Sequence, residues 1–512
     1  MNAERLKGAS VLVVGAGIMG AGIAQVAAQA GHRVMLFDAR ERAAADAKVK
    51  LGRSLDALVT KGRLGADAVG QTLARIEPID SLDAASAAEL VVEAIVENLD
   101  AKRALFRQLE TVVAADAVLA TNTSSISVTA IAHGLQHPQR LVGMHFFNPV
   151  ALMKLVEVVS GLHTNAAVAQ ALFDLTWSWG KVPVHAKSTP GFIVNRIARP
   201  YYAETLALLQ EQAATPQVLD ACLKAAGFRM GPCELMDLIG HDTNFAVTQS
   251  VYEANFHDKR YVPSLIQKEM VDGGLLGRKS GRGFYTYPEG VPSLPVAVHD
   301  APATAGAFEV HGVGAIADFL EHQAQAALAA QGWGPARVRD SDWTGLEIDG
   351  ARLVLTDGRC ASEVAASIGK ADVAVFDRPL QLPAPTGTAL AYAVAEQAQA
   401  AWARQAAAWL AALGFAPQRV ADVPGLVAAR TVAMLINEAA DAVQQGVCDE
   451  AGADSAMKLG VNYPAGPFEW LGHWSAGGVV ALLDRLDAHY RGERYRASPL
   501  LRRRVWQPGG RA

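Results

Sequence analysis

An α/β domain with a parallel sheet, joined to all-α domains, is the fold class that the sequence predicts, on three observations. Short β-branched runs alternate with amphipathic stretches over residues 10–188. The periodicity turns helical beyond Thr189, and a PG/GPxE frame in that helical stretch recurs near the C-terminus. With 512 residues, 51% hydrophobic and 19% charged, the chain can bury several cores, which argues against intrinsic disorder. A formal charge of -5 with no long basic block argues against nucleic acid as a principal partner. Four scattered cysteines, none in a CxxC pair, read as reduced thiols and not as a disulfide framework. Residues 11–31 are uncharged and long enough on paper for a bilayer, but their glycine spacing belongs to a soluble fold, so no membrane contact is expected. The first residues lack the succession of a secretory signal, and the expected location is cytoplasmic.

Taken in order, the strands of the first domain (1–188) are expected at 10–14, 33–38, 90–94, 118–121 and 141–146. The first runs into Gly15-Ala16-Gly17-Ile18-Met19-Gly20 and then into a helix. Here the first glycine allows a tight turn, the second lets backbone approach a pyrophosphate, and the third lets helix and strand pack closely. The helix N-terminus adds free amides and a partial positive charge. The second strand ends in Asp38, whose carboxylate suits two ribose hydroxyls and repels a 2′-phosphate, so a Rossmann domain that prefers NAD over NADP is predicted, with Arg40 close by.

Residues 189–290 read as a small helical domain, with Thr215-Pro216 starting one helix and Gly227 stopping it. Prolines 288, 292, 295 and 302 mark a linker over 288–306. The next part, 291–420, reads as a reduced Rossmann-like domain without a phosphate loop. Strands are expected at 351–355 and 371–376 and a long Ala-rich helix around 390–413. Residues 421–512 read as a second copy of the helical domain. Pro190 aligns with Pro424, Glu204 with Glu438, and Gly231-Pro232-Cys233-Glu234 with Gly466-Pro467-Phe468-Glu469, while Asn195 becomes Ala429.

The chemistry is expected around Gly143-Met144-His145-Phe146-Phe147-Asn148-Pro149. His145 ends an apolar strand, on the side where open α/β sheets hold their ligands. Glu157, in a second apolar stretch, is costly to bury without a partner. Paired with His145 it would fix the imidazole tautomer that a general base for an alcohol requires. No HExxH or Cys/His pattern calls for a metal.

These motifs occur together in one family: over residues 8–287 the sequence resembles the 3-hydroxyacyl-CoA dehydrogenases. The likeness rests on GxGxxG, VVEAIVEN at 91–98, NTSS at 122–125, GMHFFNPV at 143–150, TPGFIVNR at 189–196 and GRKSGRGFY at 277–285. The resemblance implies an NAD-dependent oxidation of (3S)-3-hydroxyacyl-CoA, with His145 as base and Glu157 orienting it. It implies that Ser124 and Asn195 hydrogen-bond the substrate. Glu97, Lys102, Ser124, Asn148 and Lys279 would line the cofactor beside Gly15, Gly17, Ile18, Met19, Gly20 and Asp38, and Ser54 and Lys61 would meet coenzyme A. The longer layout resembles phenylacetate-pathway members, which implies 3-hydroxyadipyl-CoA, with Arg196 and Arg199 as candidates for its distal carboxylate. A 3-hydroxybutyryl-CoA or broad short-chain dehydrogenase is the alternative, and a non-catalytic, crystallin-like NAD- or CoA-binding relative the alternative of another class. The lost asparagine makes the second copy a scaffold in this reading. It is expected to pack on the first as an intramolecular pseudo-dimer, with association of whole chains left open.

Overall fold

The computed structural model describes residues 6–295, 299, 302, 306–329 and 334–507, so part of the predicted linker lies outside the described residues. The chain divides into two units, Met1–Arg196 with Gln445–Val461, and Ile197–Gln444 with Asn462–Ala512.

The first unit is built on eight strands: β1 (Val11–Val14), β2 (Val34–Phe37), β3 (Ile76–Pro78), β4 (Leu90–Glu93), β5 (Val118–Thr121), β6 (Leu141–Phe146), β7 (Leu155–Ser160) and β8 (Val182–Lys187). Their order is β3-β2-β1-β4-β5-β6-β7-β8. Every residue of β1, β4, β5 and β6 is buried, because helices cover both faces of the sheet. The predicted strands are present, but the sheet is not wholly parallel. β6 and β7 run antiparallel. Only residues 147–154 join them, too short for the crossover that a parallel neighbour needs. Helix Glu450–Gly460, from far along the chain, packs on β7 and β8.

The second unit carries a seven-stranded sheet: β9 (Phe308–His311), β10 (Ala336–Val338), β11 (Gly345–Ile348), β12 (Ala351–Leu355), β13 (Val373–Phe376), β14 (Thr388–Val394) and β15 (Phe415–Arg419). It is ordered β10-β9-β11-β12-β13-β14-β15. The expected long helix over 390–413 is corrected here: residues 388–394 form β14, and the helix is confined to Ala400–Ala412. Five consecutive residues of β14 are buried, so no alternation marks it as a strand, and its alanines read as helix formers. β14 pairs antiparallel with β13 and parallel with β15, the pattern of β7 between β6 and β8.

The two helical copies meet inside this unit, where helix Arg199–Gln210 packs on helix Ala428–Gln444. Their contacts are reciprocal at a constant offset of 234 residues. Buried Glu204 accepts from Arg494 Nη2 at 2.8 Å and Tyr495 OH at 3.0 Å. Its counterpart Glu438 faces Arg260 at 3.5 Å and accepts from Tyr261 OH. Arg430 Nε also donates to Glu204, at 2.6 Å. The carboxylate's large desolvation cost is thus offset by two guanidinium groups and a hydroxyl. Reciprocity extends to the backbone: Ala421 N donates to Ala213 O in this unit, as Lys187 N does to Val447 O in the first. Helix Pro216–Ala225 packs on β14 as its counterpart, Glu450–Gly460, packs on β7.

Candidate active site

The glycine turn follows β1. Gly15 has φ +104°, and a Cβ there would stand 2.5 Å from the Ala94 carbonyl oxygen, so only glycine fits. A Cβ on Gly20 would collide with the Gly15 carbonyl oxygen at 1.7 Å. A Cβ on Gly17 would meet, among the described residues beyond its chain neighbours, nothing within 4 Å, which leaves space for a ligand at the N-terminus of helix Ile18–Gln29. Ile18 is 79% exposed and Met19 half-buried beside it. Asp38 stands past the end of β2, where its Oδ2 accepts from Ala16 N at 2.8 Å, tying the acid to the turn. Arg40 grips the same carboxylate through Nε at 3.0 Å and Nη2 at 3.1 Å and, with the Ala16 amide, holds its pKa down to about 2. An open turn, a helix N-terminus and an ionised acid next to them fit a dinucleotide with an unphosphorylated ribose.

The antiparallel register of β6 and β7 sets His145 opposite Glu157. His145 Nδ1 lies 2.5 Å from Glu157 Oε2, with Glu157 fully buried and His145 6% exposed. Glu157 Oε1 accepts from Ile193 N at 2.9 Å and Val194 N at 3.0 Å. Two amide donors on Oε1 suit a carboxylate, and with the imidazole turned so that Nδ1–H donates to Oε2, Nε2 is the nitrogen left to take a proton. Phe147 and Phe192 wall the imidazole, at 4.5 and 5.9 Å between ring centroids. Asn195 follows Val194 directly on the short helix Val194–Ile197, half-buried.

Past the end of β5, Asn122 Oδ1 accepts from Phe146 N at 2.8 Å and locks the NTSS loop to β6. Glu97 Oε1 organises that loop, accepting from Thr123 Oγ1 at 2.6 Å, Ser124 N at 2.9 Å and Ser125 N at 3.2 Å. Burial works against the Glu97 charge, but Lys102 and these donors hold its pKa below the usual carboxylate range. Lys102, 1% exposed, places its ammonium 3.2 Å from Glu97 and 2.6 Å from Glu93. Glu93 in turn accepts from Thr121 Oγ1 at 2.7 Å. Sequence reasoning passed over Glu93, although an acid ending β4, nine residues before a lysine on the next helix, is a readable signal.

Asn148 is exposed just beyond β6. Ser54 and Lys61 are exposed two turns apart at the end of helix Ala43–Thr60, and Ser54 Oγ donates to Lys50 O at 3.1 Å. Lys279 lies in the second unit, paired with Asp242. Two further residues of the first unit went unpredicted. Gln445 Oε1 accepts from Arg196 Nη1 at 2.8 Å, and a Cβ on Gly460 would stand 2.6 Å from Leu155 Cδ2 and 3.0 Å from Val194 Cγ2.

The second sheet repeats the frame without the chemistry. Val184, six residues before Pro190, pairs with Glu157; Gln418, six before Pro424, pairs with Ala391. Opposite Ala391 stands Asp377, whose amide donates to the Ala391 carbonyl at 2.9 Å. Asp377 therefore occupies the place of His145, and Ala391 that of Glu157. Asp377 itself accepts from the amides of Val427, Ala428 and Ala429, the equivalents of residues 193–195.

Family models match the chain in three parts. The 3-hydroxyacyl-CoA dehydrogenase NAD-binding domain matches residues 10–189 and the C-terminal domain of the same enzymes matches twice, at 191–287 and 425–509. A 3-hydroxybutyryl-CoA dehydrogenase reduced Rossmann-fold domain matches 353–424. The chain is 44% identical to a 3-hydroxyadipyl-CoA dehydrogenase of Escherichia coli K12 over 98% of both chains. It is 42% identical to a probable 3-hydroxybutyryl-CoA dehydrogenase of Deinococcus radiodurans, which covers 54% of this chain and 99% of that one. A crystal structure of a 3-hydroxybutyryl-CoA dehydrogenase from Escherichia coli K12 superposes with a TM-score of 0.86 at 43% identity, over 97% of this chain and 98% of that one.

Proposed function

We propose that this chain, which belongs to the 3-hydroxyacyl-CoA dehydrogenase family, oxidises the hydroxyl of (3S)-3-hydroxyacyl-CoA to a 3-oxo group with NAD, and that 3-hydroxyadipyl-CoA is the thioester it serves. The observation that carries the reaction is the buried arrangement of His145, Glu157 and the amides of Ile193 and Val194. His145 Nε2 takes the hydroxyl proton, and the Glu157 carboxylate balances the imidazolium that forms. NAD, when bound, would supply the acceptor for the hydride of the hydroxyl-bearing carbon. Asn195 and the Ser124 hydroxyl donate to the substrate oxygen as it becomes a carbonyl. Gly15, Gly17, Ile18, Met19 and Gly20 cradle the dinucleotide, Asp38 takes its ribose hydroxyls, and Asn148 and Lys279 line it. Glu97 sets the Ser124 loop, and Lys102 acts through Glu97 and not on the ligand directly. Ser54 and Lys61 meet coenzyme A.

We read the second half as a scaffold that gives the chain an intramolecular pseudo-dimer. The support is the reciprocal Glu204 and Glu438 networks and the replacement of His145, Glu157 and Asn195 by Asp377, Ala391 and Ala429. Among the described residues no helix is long and apolar enough to cross a membrane, and a cytoplasmic setting agrees with the scattered cysteines. The names of the relatives divide between adipyl and butyryl thioesters, so 3-hydroxybutyryl-CoA is the second reading. Steady-state kinetics with NADH and acetoacetyl-CoA, longer 3-oxoacyl-CoAs and 3-oxoadipyl-CoA decide between them: the highest kcat/KM should fall on 3-oxoadipyl-CoA, and a maximum on acetoacetyl-CoA would favour the second.

A further inference from the structure

Lys181 stands in the first unit between helix Ala166–Ser178 and β8. It is 6% exposed, and among the described residues no carboxylate pairs with it. Burial alone pulls its pKa down to about 8. Taking an ammonium out of water without a counter-charge is costly, so its polar partners have to make up the loss. Those partners are two backbone carbonyls. Lys181 Nζ donates to Val150 O and, at 2.8 Å, to Met153 O. Both belong to residues 147–154, the connection between β6 and β7. Inside it the amides of Leu152 and Met153 each donate to Pro149 O at 2.9 Å, which makes a tight turn. One ammonium thus caps two carbonyls of that turn, as a lysine does at the end of a helix.

The connection bears on the site at two places. At its start the Phe147 ring lies 4.5 Å from the His145 imidazole. Three residues on, buried Val150 rests on Gly22 of helix Ile18–Gln29, where a Cβ would stand 2.8 Å from Val150 Cβ. That helix opens at the glycine turn, and Asn148 lies between the two contacts. The repeat shows that the frame itself does not ask for a cation here. Lys181 comes nine residues before Pro190, and nine before Pro424 comes Phe415, buried at the start of β15. The sheet without the histidine and glutamate has an apolar ring where the sheet that holds them has an ammonium.

We propose that Lys181 is a positioning residue of the dehydrogenase: it fixes residues 147–154 so that Phe147 bears on His145 and Val150 on the helix that receives the dinucleotide. The proposal deepens the dehydrogenase reading and rests on it. The experiment compares the full chain with two variants. Lys181→Met keeps an unbranched side chain and removes the donors, while Val150→Ala thins the contact on Gly22 and leaves the lysine in place. In fluorescence titrations Lys181→Met raises the NADH dissociation constant at least about fivefold, and it lowers kcat on acetoacetyl-CoA at least about tenfold, since a small misplacement at a reacting group is costly. Val150→Ala moves both in the same direction by less. A lysine of merely structural use would reduce the number of NADH sites per chain and leave the dissociation constant of the remaining ones unaltered, and that result overturns the proposal. If Lys181→Met does not fold, Val150→Ala decides alone, and an unmoved NADH dissociation constant there overturns it. Absence of any thioester reduction by the unaltered chain overturns the reaction reading instead, and the NADH titration still judges Lys181. An unaltered chain that binds no NADH overturns both.

Discussion

Glu157 spends one oxygen on two backbone amides and the other on a single imidazole. Removing that imidazole takes away the proton acceptor while the carboxylate keeps its amide partners. His145→Ala should therefore lower kcat at least about a hundredfold, the usual order for loss of a general base, with the NADH dissociation constant from fluorescence titration almost unaltered. Asp38 carries a different consequence, because Arg40 sits on the same carboxylate. Asp38→Ala should weaken NADH and raise the relative use of NADPH, since the freed guanidinium can meet a 2′-phosphate. Adding Arg40→Ala should abolish the gain, read as the ratio of kcat/KM for the two cofactors. Both residues were legible in the sequence, because a glycine turn followed by an acid, and a histidine ending an apolar strand, are local patterns. Glu93 was passed over although its spacing from Lys102 was readable, and the burial of both is what shows that they pair.

Among the elements, helix Glu450–Gly460 bears most directly on the site, through Gly460 and Val194. The counterpart of Gly460 is the larger Ala226, and the counterpart of Val194 is the smaller Ala428, so a gain of volume at one position goes with a loss at the other. Gly460→Val should push Val194, whose amide holds Glu157, and lower kcat by about tenfold while the KM for NADH stays within about twofold, since a small displacement at a catalytic group is costly. Element type was legible where periodicity survives and failed where it is erased. β14, buried along five consecutive residues and rich in alanine, carries no alternation and reads as helix. The reversal between β6 and β7 follows from a connection too short for a crossover, a spacing that was in the sequence but unused.

Across the whole molecule, the duplication visible as two PG/GPxE frames gives reciprocal contacts at one fixed offset, down to Glu204 with Arg494 and Glu438 with Arg260. Their partners lie 290 and 178 residues apart, so the repeat could be seen in the string while the pairing could not. Residues 1–290 expressed alone would expose the Glu204 carboxylate and the surface of helix Arg199–Gln210, and would lack the strip that packs on β7 and β8. That fragment should be aggregated, or self-associated by light scattering, with kcat reduced about tenfold or more. A soluble, fully active monomer would remove the second copy from any part in the site.

The placement of residues 445–461 beside the first sheet also sets an order of events during synthesis. The ribosome releases the glycine turn, the histidine and its glutamate first, yet the piece that supports them emerges only after residue 445 has been added. Until then a nascent chain holds the chemistry in an unfinished frame, and maturation of the enzyme waits on synthesis through residue 461.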